Sequence, residues 1–300
     1  MIVKTILQKL MIIIDTAKIK QVCYGCLLIV YSLVMSVSAQ NVVQDTSVAE
    51  TFAEKISAAQ LQAKAKLQYQ VKFKARDDND FLLTADYRFL PNKASAKHMP
   101  GVIVLHDCHS ERTKYKTLST SIAQQGLHTL SLDFRGYGNS VGQGYSELTV
   151  KKNASDMMSY QTEVAVLMSY WSEDLLAAYH FLRNKVDNSQ GISIVASGCA
   201  GAYAVALAEE IHINSMVLLT PDMSYADKER YKNLIDIPSY FISSAQHTIS
   251  YSTAQELFTW SGDKHSKLQV YKSDKLNYQI LKANKYLVND IALWLKFTLR

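Results

Sequence analysis

Short apolar runs recur along the chain at residues 102–105, 129–132, 192–195, 216–219, 240–242 and 268–271. Strands buried on both faces read this way, because helices cover a parallel sheet on either side. The segments between them, residues 114–125, 171–183, 200–211, 251–260 and 278–299, are long enough for crossover helices. This alternation predicts an α/β chain built on a doubly wound, mostly parallel sheet. Ahead of it, residues 67–74 alternate with period two, Asp77, Asp78, Asn79 and Asp80 supply turn chemistry, and residues 81–90 form a second strand pattern. An N-terminal hairpin is expected there. Residues 139–170 are the longest stretch between a strand and its next helix; they turn helical in pattern and are expected to form a small cap over the strand ends.

The first 66 residues differ in character. Val48, Phe52 and Ile56 recur every four residues in a region without Gly or Pro, so residues 40–66 are expected to form a helical extension. A nearly unbroken apolar run at residues 22–35 follows Lys18 and Lys20 and ends in Val37, Ser38 and Ala39, the small-x-small pattern of a cleavage site. Residues 1–39 are therefore read as a signal peptide, and the protein as exported, periplasmic or secreted. The run is shorter than the roughly 20 residues a helix needs to span a bilayer. No permanent span is expected after cleavage; an uncleaved N-terminal anchor is the alternative. Residues 67–300 then form the main domain.

Hydrophobic residues make up 48% of the 300 residues and charged ones 20%, with only 11 Gly and 4 Pro, which excludes intrinsic disorder for most of the chain. The formal charge of +5 owes much to Lys4, Lys9, Lys18 and Lys20 in the leader, so the remainder is nearly balanced and gives no case for nucleic-acid binding. Cys23 and Cys26 would leave with the leader, and Cys108 and Cys199 remain. Two cysteines without metal-site spacing imply neither a metal nor a cofactor.

In a doubly wound sheet, ligands bind outside the carboxyl ends of the strands. One such junction reads Ser197, Gly198, Cys199, Ala200, Gly201. Small residues two before and two after a central Cys199 permit a strained strand-to-helix bend, the nucleophile elbow. A thiol at a helix N-terminus is held toward the thiolate by the helix dipole.

Two further segments carry a resemblance. Residues 102–108, ending His106, Asp107, Cys108, look like an oxyanion strand and loop, and Asp133, Arg135, Gly136, Gly138 and Ser140 match a D-x-R-G-x-G-x-S segment after the next strand. With the elbow some 60 residues on, the chain from about residue 82 to 299 resembles the α/β-hydrolase superfamily. A Cys at the elbow is similar to dienelactone hydrolases, whose thiol attacks an ester or lactone carbonyl. The resemblance implies Cys199 as nucleophile, backbone N–H groups of Cys108 and Ala200 as the oxyanion hole, and a pocket with His106, Asp107, His109 and Tyr137.

The rest of the expected machinery departs from the family. Where the acid normally stands the chain has His247, and Asp222, at an earlier strand end, is the substitute acid. Where the family supplies its His, the chain reads Ser273, Asp274, Lys275, Leu276, Asn277, Tyr278, and no His follows His265. His247 or His109 is left as an improvised base. Two functions stay open: a silent relative that binds a small apolar ligand or a protein in the pocket, and a thiol-dependent hydrolase of small carboxylic esters or lactones. Because the family pattern sets Cys108 opposite the elbow, an exported chain could close a Cys108 to Cys199 disulfide across the site. Asp133 and Arg135 are read as shaping their loop, and Tyr145, Tyr160, Tyr170 and Trp171 as candidates to line or pack the cap.

Overall fold

The computed structural model describes residues 68–77, 80–90, 96–142 and 144–299. The leader, the helical extension and two residues of the hairpin turn lie outside them. Among the described residues, eight strands run in the order β1-β2-β4-β3-β5-β6-β7-β8. They are β1 (Gln68–Lys74), β2 (Leu82–Arg88), β3 (Gly101–Leu105), β4 (His128–Asp133), β5 (Ile192–Ser197), β6 (Met216–Leu219), β7 (Ser239–Ser244) and β8 (Lys267–Tyr271). The expected hairpin is β1 with β2, antiparallel, and β2 also joins β4 antiparallel; every later pairing is parallel. The doubly wound, mostly parallel sheet is as the apolar runs predict.

Helices cover both faces: α1 (Lys116–Gln124), α2 (Glu147–Asn153), α3 (Met157–Met168), α4 (Trp171–Arg183), α5 (Ala200–Glu210), α6 (Tyr225–Tyr231), α7 (Thr248–Trp260), α8 (Asn277–Ala283) and α9 (Leu287–Thr298). Alternate strand residues divide the core. Ile103, Leu105, Ile194, Leu218 and Phe241 pack with α4, α5 and α7, while Val102, Val104, Val195, Val217 and Ile242 pack with α1, α8 and α9. The central strands are buried on both faces, and the polar side chains among them find partners inside, Ser131 with Ser119 at 2.6 Å and Ser193 with Ser215 at 2.7 Å.

Two elements differ from the sequence reading. The single helix expected at 278–299 is two, because Asn284 leaves the helical region at φ −117°, ψ 95° and turns its side-chain amide onto the Ile280 carbonyl at 2.8 Å. Helix α6 was not expected; Ser224 and Asp227 start it with a reciprocal capping box. Residues 139–170 hold α2 and α3, and Asp156 caps the second by accepting the Ser159 N–H at 2.8 Å.

The D-x-R-G-x-G-x-S segment builds the turn after β4. Asp133 is fully buried and accepts the backbone N–H groups of Arg112 and Asn139, both at 2.8 Å, together with the Arg112 guanidinium. Gly138 sits at φ +53°, and a Cβ there would fall 2.2 Å from the Asp133 carboxylate, so only glycine fits. Arg135 is buried under the rings of Phe81, Tyr145 and Tyr170 and pairs with Asp77 and, at 2.9 Å, Asp174. Trp171 stacks on Phe134 at 4.1 Å, and the Tyr160 hydroxyl donates to Glu147 at 2.6 Å. Tyr145, Tyr160, Tyr170 and Trp171 are thus engaged in packing or pairing.

Burial pushes the Asp174 carboxyl up to about 6, against the pull of the Arg135 guanidinium. A carboxyl raised above its unfolded value of about 3.9 keeps its proton longer when folded, so its contribution is full below about pH 4 and falls as the pH rises toward 6. Asp174→Asn cannot ionise. Urea unfolding across that window should show the natural chain losing stability relative to the variant as the pH rises; a relative gain would contradict the sign.

Candidate active site

The elbow sits where β5 ends and α5 begins, between the loops that follow β3 and β6. Its bend falls one residue earlier than the sequence reading placed it. Gly198 carries the positive φ of +55°, whereas Cys199 is already in the helical region at φ −64°, ψ −22°, as the residue capping α5. The position on the strained turn therefore has no side chain. Cys199 and Cys108 are both partly buried, lie 5.9 Å apart at Cα, and are joined by a disulfide. The sulfur expected as nucleophile is a bridge atom, tied to the residue expected to lend an oxyanion N–H.

Asn277 stands opposite the bend and was not singled out from the sequence. A Cβ on Gly198 would meet its Oδ1 at 3.0 Å and the Asp107 Cβ at 3.1 Å. Asn277 has φ +53° and Thr220 φ +46°. Left-handed backbone at a β-branched residue costs energy that surrounding contacts must offset, and such residues gather at functional sites. Here the offset is visible: Asn277 Oδ1 accepts from Thr220 Oγ1 at 2.7 Å and from Ser197 Oγ at 3.2 Å, and its N–H donates to Thr220 Oγ1 at 2.9 Å. The network continues inward, since the Tyr115 hydroxyl lies 2.8 Å from Ser197 Oγ and donates to Asp107 Oδ2 at 2.9 Å. Burial raises the Tyr115 hydroxyl well above its ordinary range, which keeps it a donor. The sequence signal for Asn277 is its tolerance of positive φ, visible only once a bend is known to fall there.

The other expected residues are scattered around this centre. Asp107 is buried, its Oδ1 accepting the His109 N–H at 3.0 Å. His106 is fully buried with both nitrogens engaged: Nδ1 meets the Asp107 carbonyl at 2.7 Å and Nε2 accepts the Phe134 N–H at 3.1 Å. Burial holds it below the usual imidazole range, so it is a neutral ring that fixes the loop. Ala200 is buried as the first residue of α5. Asp222 touches the elbow through its backbone, its N–H donating to the Gly198 carbonyl at 3.3 Å, while the residue itself is exposed. His247 lies beyond β7, where Nδ1 accepts the Ser250 N–H at 3.3 Å and caps α7. That hydrogen bond gives the ring a structural use.

His109 and Tyr137 do share a space. A cavity of about 550 Å³ beside the loop after β3 is lined by them with Ser110, Leu148, Lys151 and Tyr160, among others. Burial raises the Tyr137 hydroxyl above its ordinary range. Neither Cys108 nor Cys199 lines that cavity. Among the described residues no group of three or more His, Cys, Asp or Glu is placed to hold a metal ion.

A mostly parallel eight-stranded sheet in this order, with the bend at the end of β5 and the late loops converging on it, is the α/β-hydrolase fold. Among solved structures, the chain is similar to a dienelactone hydrolase from Anabaena variabilis, at 13% identity and a TM-score of 0.58, covering 78% of this chain and 98% of that one. It is also similar to an esterase of Pyrococcus furiosus, at 16% identity and a TM-score of 0.54 over 77% of this chain and 92% of that one. The esterase domain of a Rhodothermus marinus protein matches at 15% identity and 0.53, over 77% and 98%. No family model and no curated relative matches the sequence. At this identity the likeness is one of fold, and function rests on the site.

Proposed function

We propose that this is an exported α/β-hydrolase-fold protein in which ester hydrolysis is lost, and whose pocket beside the oxyanion loop holds a small ligand. The observation that carries the reading is the Cys108–Cys199 bridge. Attack by a thiol needs the sulfur free as thiolate, a base in hydrogen-bond reach and two N–H groups preorganised toward the oxyanion. With the bridge closed the sulfur is spent, Gly198 offers no replacement, and the amide at Asn277 cannot act as a base near neutral pH. Export is supported by the same bond, since disulfides persist in oxidising compartments. The cavity of about 550 Å³ falls in the range that small-molecule sites occupy, and its Val141 and Leu148 give an apolar part of the ligand somewhere to rest.

The alternative is a thiol-dependent ester or lactone hydrolase active after reduction. What favours it is the partly buried Cys199 at the N-terminal end of α5, where a released sulfur would be held as thiolate. Short p-nitrophenyl esters separate the two. The expected result is turnover at the background rate in oxidising and reducing buffer alike, and the same for Cys199→Ala. Turnover that appears with reductant and disappears in Cys199→Ala would establish the hydrolase.

A further inference from the structure

A second concavity, of about 700 Å³, runs between α1 and the α8–α9 pair and shares only Lys114 with the cavity beside the oxyanion loop. Residues some 165 positions apart in sequence meet across it. Lys114 and Lys116 stand on one side and Lys282 and Lys285 on the other, and no carboxylate is among the described side chains that line it. Glu111 approaches Lys114 at 4.0 Å. Among the described residues, no carboxylate lies within ion-pair distance of Lys116, Lys282 or Lys285. The neighbouring Asp290 acts in another direction, toward Lys267, Tyr240 and Tyr271. Lys282 lies over the Tyr278 ring, 4.9 Å from its centre, which holds that ammonium group at the groove.

Like charges around one groove repel one another and raise the local concentration of anions. Lysine ammonium groups are compact point charges with three rotatable donors, suited to phosphate oxygens without the fixed geometry arginine imposes. Thr117 and Ser121, on the α1 wall, add hydroxyl donors, and the apolar parts of Leu281 and Val288 make the floor. We propose that this groove binds a soluble small molecule carrying several phosphate groups. A concave site favours such a ligand over a flat anionic membrane, which would press against a convex face.

Tripolyphosphate is the probe, titrated calorimetrically into the purified protein in low-salt buffer. Binding is expected to weaken steeply with added salt, and Lys282→Glu with Lys285→Glu to weaken it by about tenfold or more. The control is Lys264→Glu with Lys272→Glu, which changes the net charge equally on exposed lysines outside the groove and should leave binding within about twofold. Equal losses in the two pairs would overturn the proposal, because net charge would then be the cause. So would capture by phosphatidylglycerol-containing vesicles without tripolyphosphate binding. Thermal unfolding of both pairs, expected to match the parent, guards against a folding defect.

Discussion

Cys108→Ser with Cys199→Ser is expected to lower the unfolding free energy by about 4 to 5 kcal/mol. The bridge closes a loop across a sequence separation of 91 residues. In the chain-entropy description, a cross-link over a loop of that size removes about that much conformational freedom from the unfolded chain. The folded chain is not where the effect arises. β3 and β5, the strands just before the two cysteines, are already aligned by the parallel register that sets Leu105 opposite Ala196, so the ends are close without the bond. The variant should therefore keep the fold and its sheet content while its urea midpoint falls. Dithiothreitol should shift the natural protein by the same amount and leave the variant unchanged. A midpoint insensitive to both would mean that the bond is not formed in solution.

Asp133→Ala should cost about 3 to 5 kcal/mol, the usual result of removing one partner from a buried ion pair. Asp133 ends β4, is fully buried, and holds together the Arg112 guanidinium and the N–H groups of Arg112 and Asn139. Truncation strands the two backbone N–H groups and leaves the guanidinium only Asn139 Oδ1, 3.0 Å from its Nη1, and one further carboxylate. Arg112 would keep Asp86, 3.1 Å from its Nε, but Asp86 already serves Arg88 at 3.0 Å. A double-mutant cycle with Arg112→Ala in urea unfolding should give a coupling of at least about 2 kcal/mol, and additive losses would show that the two side chains do not act together.

Much of this fold is legible in the chain because its strands are buried on both faces. A run such as Val102 to Leu105 has no other comfortable environment, and all eight strands lie within a few residues of the sequence patterns. Helix α6 carried a readable start signal in Ser224 and Asp227, but its seven residues contain too little apolar periodicity to be noticed beside it. Nothing as strong as Gly or Pro marks the break at Asn284. The elbow was legible as a motif and illegible in register. Small residues flank both Cys199 and Gly198 at the required spacing, and which of them takes the bend depends on where β5 stops, a matter settled by the pairing of Ser197 with Leu219. Position relative to the strand ends is what points to His247 and Asp222 in the sequence. Their side chains follow instead the local demands of a helix cap and an exposed loop, which one-dimensional spacing does not contain.

The bridge also changes what the polypeptide is under tension. Pulled from its two ends, the oxidised chain can extend only through the residues outside the 91-residue loop. At about 3.4 Å per residue, roughly 300 Å of contour length stays hidden until the bond is reduced. A motor that draws the chain through a pore one strand wide would meet extra strands abreast at the crossing, and would stall there.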